Sequence, residues 1–306
     1  MLNRFRPWQL ALLVIGLCLL GVGAAVYFRS VSSLSTRQLL SYLDRTDSTL
    51  IFVDVRALRV SGILNQLAGS ALSEEAEYKD FVRETGFNYK QDLDRILSSS
   101  YDDKRLFLLE GRFDWKNLTA YATRQGGACK NGFCRVPSSK PNRTVSFYPV
   151  NRRLMALAFS NDEWAASELK ARPRREDPFA LPAQPLWASV PPAALRDANL
   201  PAGARQFAKS LEGAERVILT IGPSDGRFEV RMDVTCKSPE EAAILRTQLE
   251  ALTNILKRLI EREKQVPSSA DLSGVLTSGV FERMDRRVLG KWPVEKTFLN
   301  SLADGG

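Results

Sequence analysis

Gly222-Pro223-Ser224-Asp225-Gly226 has the G-x-S-x-G spacing of a nucleophile elbow, and Ser167-Glu168-Leu169-Lys170 has the S-x-x-K spacing of some serine acyl-enzymes. Either serine could attack an acyl carbon if a base lay within hydrogen-bond reach. The elbow also needs a strand–turn–helix and a histidine, and the chain contains no histidine. Both segments flanking 222–226 read as strands, and Pro, Asp and Gly are ordinary turn formers. Ser167 and Lys170 fall near the end of a surface helix, where a lysine favourably meets the helix C-terminus, and no S-D-N or K-T-G accompanies them. The missing histidine further removes Ser-His-Asp and Cys-His catalysis, His-based zinc sites and the usual physiological-pH switch. Carboxylate pairs, Ser-Lys pairs and Tyr or Lys chemistry remain, and no catalytic, cofactor-binding or metal residue is assigned.

Among the carboxylates, Asp54 in the apolar stretch Phe52-Val53-Asp54-Val55 is the candidate site residue. Alternation puts Leu50, Phe52 and Asp54 on one side of a strand, with Asp54 at its end and next to the start of a helix. Strand ends of this kind host both helix caps and functional acids. Asp92 and Asp94 with Arg95, and Asp102-Asp103, lack any metal-loop spacing and read as solvated positions. No phosphate-cradling glycine loop is present.

Cys129 and Cys134 bracket Lys130-Asn131-Gly132-Phe133. Asn-Gly is the strongest two-residue hairpin signal, since a type I′ turn needs positive φ at both centres. Cys129 then faces Cys134 across a closely spaced pair, within disulfide range. A bridge there requires an oxidising compartment. Free thiols are the other reading; metal binding needs more ligands than the chain offers. Cys236, in a strand-like segment, reads as a small buried hydrophobe.

The elements that must position these groups follow from periodicity. Leu10–Phe28 is an uncharged run of nineteen residues, roughly 28 Å as a helix and close to the hydrocarbon thickness of a bilayer. It reads as an uncleaved transmembrane anchor, against a cleaved signal peptide or a buried soluble helix. Arg4 and Arg6 precede it, and a short stub before a long domain usually inserts with the stub in the cytoplasm. The expected location is the plasma (inner) membrane, single-pass, with the N-terminus cytoplasmic and the main domain extracytoplasmic. Residues 1–37 carry four arginines and no acid, so the net charge of +8 falls to +4 beyond them. Basicity is therefore poor evidence for nucleic-acid binding, and no recognition motif for nucleic acid occurs.

Beyond a polar tether at 29–36, residues 37–171 read as a first α+β half, 172–185 as a proline-rich linker and 186–306 as a second α+β half. In the first half, strands are expected at Thr49–Val55, Lys104–Glu110, Thr144–Val150 and Arg153–Phe159. Helices are expected at Thr36–Arg45, Arg56–Ala68, from Ser73 to Gly86, at Lys90–Leu97, after Asp114, and from the Ser160-Asn161-Asp162-Glu163 capping box to Lys170. In the second half, a strand at Leu186–Val190, a hairpin at Arg216–Cys236, and a long helix from Ser238 to about Lys264 are followed by a strand at Val280–Leu289 and a helix at Val294–Leu302. Leu106–Tyr121 has a counterpart in Phe228–Leu249, which suggests a degenerate duplication. The expected fold class is α+β: a transmembrane helix, then a possibly duplicated domain of mixed or antiparallel sheet with helices on one face. The apolar stripe Ala242, Leu245, Leu249, Leu252, Leu256 and Leu259, widened by Ile255 and Ile260, fits packing on the sheet of the same chain or, through Leu245, Leu249, Leu252, Leu256 and Leu259, the seam of a homodimer.

Gly86-Phe87-Asn88, Asp92-Leu93-Asp94-Arg95 leading into a strand, and Glu110-Gly111-Arg112-Phe113-Asp114 before a helix form a pattern over about 35 residues. It resembles uncharacterised single-pass bacterial envelope proteins. The resemblance implies an envelope location and a duplicated α+β domain, and carries no activity; the proline linker and cysteine hairpin lie outside it. The functional expectation is a membrane-anchored extracytoplasmic binding or scaffold domain with a protein partner in the envelope. The alternatives are a His-free carboxylate hydrolase or transferase at Asp54, and a dimeric assembly subunit built through the 238–264 helix. Clustered acids around Asp54 would favour the enzyme, an apolar groove the binding domain.

Overall fold

Thr49–Asp54 (β1), rich in β-branched and apolar residues, pairs antiparallel with two strands, one from each half of the sequence. One is Leu93–Tyr101 (β2); the other is Leu186–Val190 (β8). That double pairing joins everything else. The computed structural model describes residues 34–43, 47–64, 76–169, 181–196, 202–224, 227–262, 272–295 and 297. Lys104–Gly111 (β3), Ala128–Lys130 (β4), Phe133–Pro137 (β5), Thr144–Pro149 (β6) and Leu154–Ser160 (β7) extend the sheet on one side of β1. Arg216–Ser224 (β9), Arg227–Thr235 (β10), Val280–Met284 (β11) and Arg287–Val294 (β12) extend it on the other. The strand order is β11-β12-β10-β9-β8-β1-β2-β3-β7-β6-β5-β4, and every neighbouring pair is antiparallel.

The helices are Thr36–Leu43 (α1), Val55–Val60 (α2), Ala76–Thr85 (α3), Tyr89–Asp92 (α4), Trp115–Arg124 (α5), Pro192–Arg196 (α6), Ala202–Ser210 (α7), Pro239–Arg262 (α8) and Leu272–Thr277 (α9), among the described residues. Alternation decides which face each covers. Leu97, Leu108, Ala156 and Trp187 share one face, where Leu39, Leu40 and Leu43 of α1 and a single 3-10 turn at Ala165–Glu168 pack on them. Leu109, Phe147 and Met155 point the other way, beneath α3 and α5. On that same second face, Leu245 and Leu249 of α8 cover Val217, Met232 and Val234.

These observations correct the expected fold class. The two halves share one continuous antiparallel sheet, because β1 hydrogen-bonds to β8, and helices lie on both faces of its first half rather than on one. The expected single-pass membrane location is corrected as well: among the described residues no helix is long and apolar enough to cross a membrane. The longest, α8, carries charged residues along its length and buries only a stripe. The run Leu10–Phe28 lies outside the described residues, as do Cys18, most of the tether, most of the proline-rich linker and most of the expected C-terminal helix.

Smaller corrections have local causes. Lys90–Leu97 is not a helix; one turn, α4, runs straight into β2. The capping box at Ser160 opens only the 3-10 turn. The segment after Val280 is a hairpin rather than one strand, folded at Asp285 with φ 54°.

Candidate functional site

α5 begins at Asp114, whose carboxylate accepts the Asn117 N–H at 3.0 Å and so caps the helix. Its inner face carries Leu118, Tyr121 and Ala122. α3 runs alongside, with the Phe81 ring edge-on to Tyr121 at 5.2 Å. Buried Thr85 ends α3 by donating from its hydroxyl to the Phe81 carbonyl at 2.6 Å and accepting the Phe87 N–H at 3.2 Å. Gly86 then adopts φ 72°, the left-handed conformation that closes a helix and that glycine reaches without cost. The chain turns back and lays the Phe87 ring flat against Phe113, 5.3 Å away.

Between these two helices and the sheet lies an apolar cavity of about 390 Å3. Phe81, Leu118, Tyr121 and Ala122 form its roof; Leu109, Val145, Phe147, Met155 and Leu157 form its floor. Among the described lining residues only Gln125 and Tyr121 carry polar side-chain groups. The Tyr121 hydroxyl is pushed above its ordinary pKa, chiefly by burial and then by the nearby carboxylates of Glu84, Glu77 and Asp80, so it stays neutral. Protein interiors are normally close-packed, so a space of this size with an uncharged lining fits an apolar guest.

A second, polar cleft of about 550 Å3 adjoins it, lined by Thr85, Asp92, Arg112, Asp114, Trp115 and Asn117. Phe87 and Phe113 line both spaces, so the stacked pair stands between them. Asp92 holds the Asn88 N–H at 2.9 Å and the Arg112 guanidinium at 2.9 Å, tying the turn after α3 to the segment before α5. Gly111 permits that approach: a Cβ there would lie 2.5 Å from the Asp92 carbonyl oxygen. The separate sequence segments Gly86–Asn88, Asp92–Arg95 and Glu110–Asp114 thus meet around one opening. Gly111→Ala is expected to lower stability by about 2 kcal/mol or more, read by urea unfolding, because backbone must move to admit the methyl group.

An ion-pair cluster sits behind this opening, at the ends of β1, β2, β3 and β7. Arg95 pairs with Glu110 in a nearly dry setting, their side chains 14% and 4% exposed. Burial pushes the Glu110 carboxyl above its usual value more strongly than Arg95, and then Arg153, pull it down. Asp94, at a register shift between β2 and β3, is held by Arg153 and by Arg59 of α2. Each carboxylate here has an arginine partner, so the cluster reads as structural.

Asp54 is used as a cap. Its Oδ1 accepts the Ala57 N–H at 2.8 Å, starting α2. It borders a cleft of about 430 Å3 lined by Thr36, Phe52, Ser61, Ile63, prolines and Gln184, and among those described residues no second ionisable group joins it. Asp54→Ala is expected to cost about 1 kcal/mol in urea unfolding, the usual loss for a cap, with ligand binding at α3–α5 unchanged.

The hairpin reading of the cysteines agrees with the structure. Cys129 and Cys134 face each other across β4 and β5 and are joined by a disulfide, with Asn131 and Gly132 at φ 51° and 79°. Cys236 is buried in the core under α8. Gly222–Ser224 are the last residues of β9 and Arg227 opens β10, a strand–strand setting, and residues 225–226 lie outside the described set. Ser167 and Glu168 lie in the 3-10 turn, where Glu168 pairs with Lys104; Lys170 is outside the described set. Among the described residues no group of acids, cysteines or histidines could hold a metal ion.

The cavity residues were not singled out by sequence reasoning. The signal that could have found them is aromatic density: Tyr78, Phe81, Phe87, Tyr89, Phe113, Trp115 and Tyr121 all fall within 78–121.

No family model and no curated protein matches the chain. Among solved structures it is similar to TP0453. Crystal form I aligns at TM-score 0.47 and 10% identity, covering 90% of this chain and 98% of that one. Crystal form III aligns at TM-score 0.48 and 10% identity, covering 90% and 99%. A likeness at this level carries no argument about function.

Proposed function

We propose that the chain is a binding domain that takes an apolar small molecule into the cavity beneath α3 and α5. The supporting observation is the cavity itself: a few hundred cubic ångströms of uncharged, largely aliphatic and aromatic surface, next to a polar opening. Such a lining rewards removal of apolar surface from water, and its one ionisable group among the described residues, the Tyr121 hydroxyl, is held neutral. Asp54, the acid on which an enzymatic reading would depend, is committed to the α2 cap.

The test is fluorescence titration with N-phenyl-1-naphthylamine, a neutral apolar probe. Saturable enhancement is expected for the wild type. Ala122→Phe, from the roof, and Met155→Phe, from the floor, should each fill the cavity and weaken binding at least about tenfold, or about 1.4 kcal/mol. Thermal unfolding of the same variants separates a filled cavity from a lost fold. Undiminished binding to two folded, cavity-filled variants would rule out this site.

A further inference from the structure

We infer that α8 pairs with α8 of a second copy of this chain, antiparallel about a two-fold axis, through a face that shares only Ile255 and Leu259 with the stripe read from sequence. That stripe is largely engaged within the chain: Leu245 and Leu249 are buried in the core, and Leu252 and Leu256 pack against it. Beside it on the helix, the steps Ile244, Gln248, Ala251, Ile255 and Leu259 fall at intervals of three and four and line up over about 22 Å. All five are exposed, and the three large apolar ones are 58%, 51% and 50% exposed for Ile244, Ile255 and Leu259. Glu241 continues this line at the N-terminal end and Arg262 at the C-terminal end, both at the surface.

The line is nearly palindromic in chemistry, and this selects the occupant. Its centre falls between Ala251 and Leu252. A second copy turned about that point sets Glu241 opposite Arg262 of the partner subunit and Ile244 opposite Leu259 of the partner subunit. Gln248 meets Ile255 of the partner subunit at the rim, and small Ala251 sits at the axis, where the helices must come closest. A parallel pairing would instead oppose Glu241 to Glu241 and Arg262 to Arg262, and would align the helix dipoles unfavourably. A two-fold axis uses each contact twice, as a self-complementary patch requires.

The test uses the full chain carrying Cys18→Ser, with Cys236 buried and the Cys129–Cys134 bridge intact. Sedimentation equilibrium across the micromolar range is expected to show a monomer–dimer equilibrium. Ile255→Glu should weaken it about 100-fold or more, because two copies of the substitution enter one interface. Under mild oxidation Ala251→Cys should form a covalent dimer far faster than Lys257→Cys, which lies on the other flank of α8. A strictly monomeric chain, an Ile255→Glu variant that dimerises like the parent, or equal cross-linking at 251 and 257 would each overturn the inference.

Discussion

Arg95→Met is expected to cost about 3–5 kcal/mol of folding stability at neutral pH, measured by urea unfolding, because it strands a buried carboxylate. Glu110 is 3% exposed, and its Oε2 accepts from both Nε and Nη2 of the Arg95 guanidinium. Removing both charges together, as Arg95→Met with Glu110→Gln, should return most of that loss, since replacing a whole buried pair is often close to neutral. The cost of Arg95→Met also depends on pH. The folded Glu110 carboxyl titrates above its ordinary value, burial being the leading cause. The folded state therefore holds its proton in a range where the unfolded chain has released it. The stabilisation due to that proton is complete below the ordinary glutamate pKa and is lost as pH rises through the raised one. The wild type should lose a little stability over that window, Arg95→Met more, and Glu110→Gln should abolish this part of the dependence. A pH-independent cost for Arg95→Met would show that Glu110 does not titrate as described.

Trp187→Ala is expected to cost a further class of stability, about 3–5 kcal/mol, because it empties a fully buried site. Trp187 lies on β8 and stacks on Phe52 of β1 at 5.4 Å, at the strand pair that joins the two halves. The form of the transition matters as much as its midpoint. One sheet spanning both halves should unfold as a unit, with tryptophan fluorescence and far-ultraviolet circular dichroism tracing the same urea curve in wild type and variant. Two independent domains either side of residues 172–185 would give two transitions, with only one of them shifted by Trp187→Ala.

That contrast shows what the sequence could and could not disclose. Locally encoded features were legible. Asn131-Gly132 announces its turn, Asp54 and Asp114 announce helix starts, and the three- and four-residue spacing of α8 announces a buried stripe. β2 was hidden because its sequence, LDRILSSSY, has charges at one end and three serines at the other. In the sheet the charges are paired in the cluster behind the polar opening, and Ser98 and Ser99 are buried beside neighbouring strands. The β11–β12 turn was hidden because Asp285, not glycine, takes the positive φ. The pairing of β1 with β8 joins residues more than 130 positions apart and leaves no local trace. The cavity is hidden for the same reason, being assembled from α3, α5, β3, β5, β6 and β7.

The binding proposal is tested most directly by anomalous diffraction from crystals soaked with a neutral, bromine-tipped chain such as 12-bromododecan-1-ol. Bromine is expected within van der Waals contact of Leu118, Phe147 or Met155, between α5 and the sheet, and absent from that position in Ala122→Phe. A bromine site elsewhere on the molecule, or a cavity left empty by a chain that the protein binds in solution, would contradict the proposal.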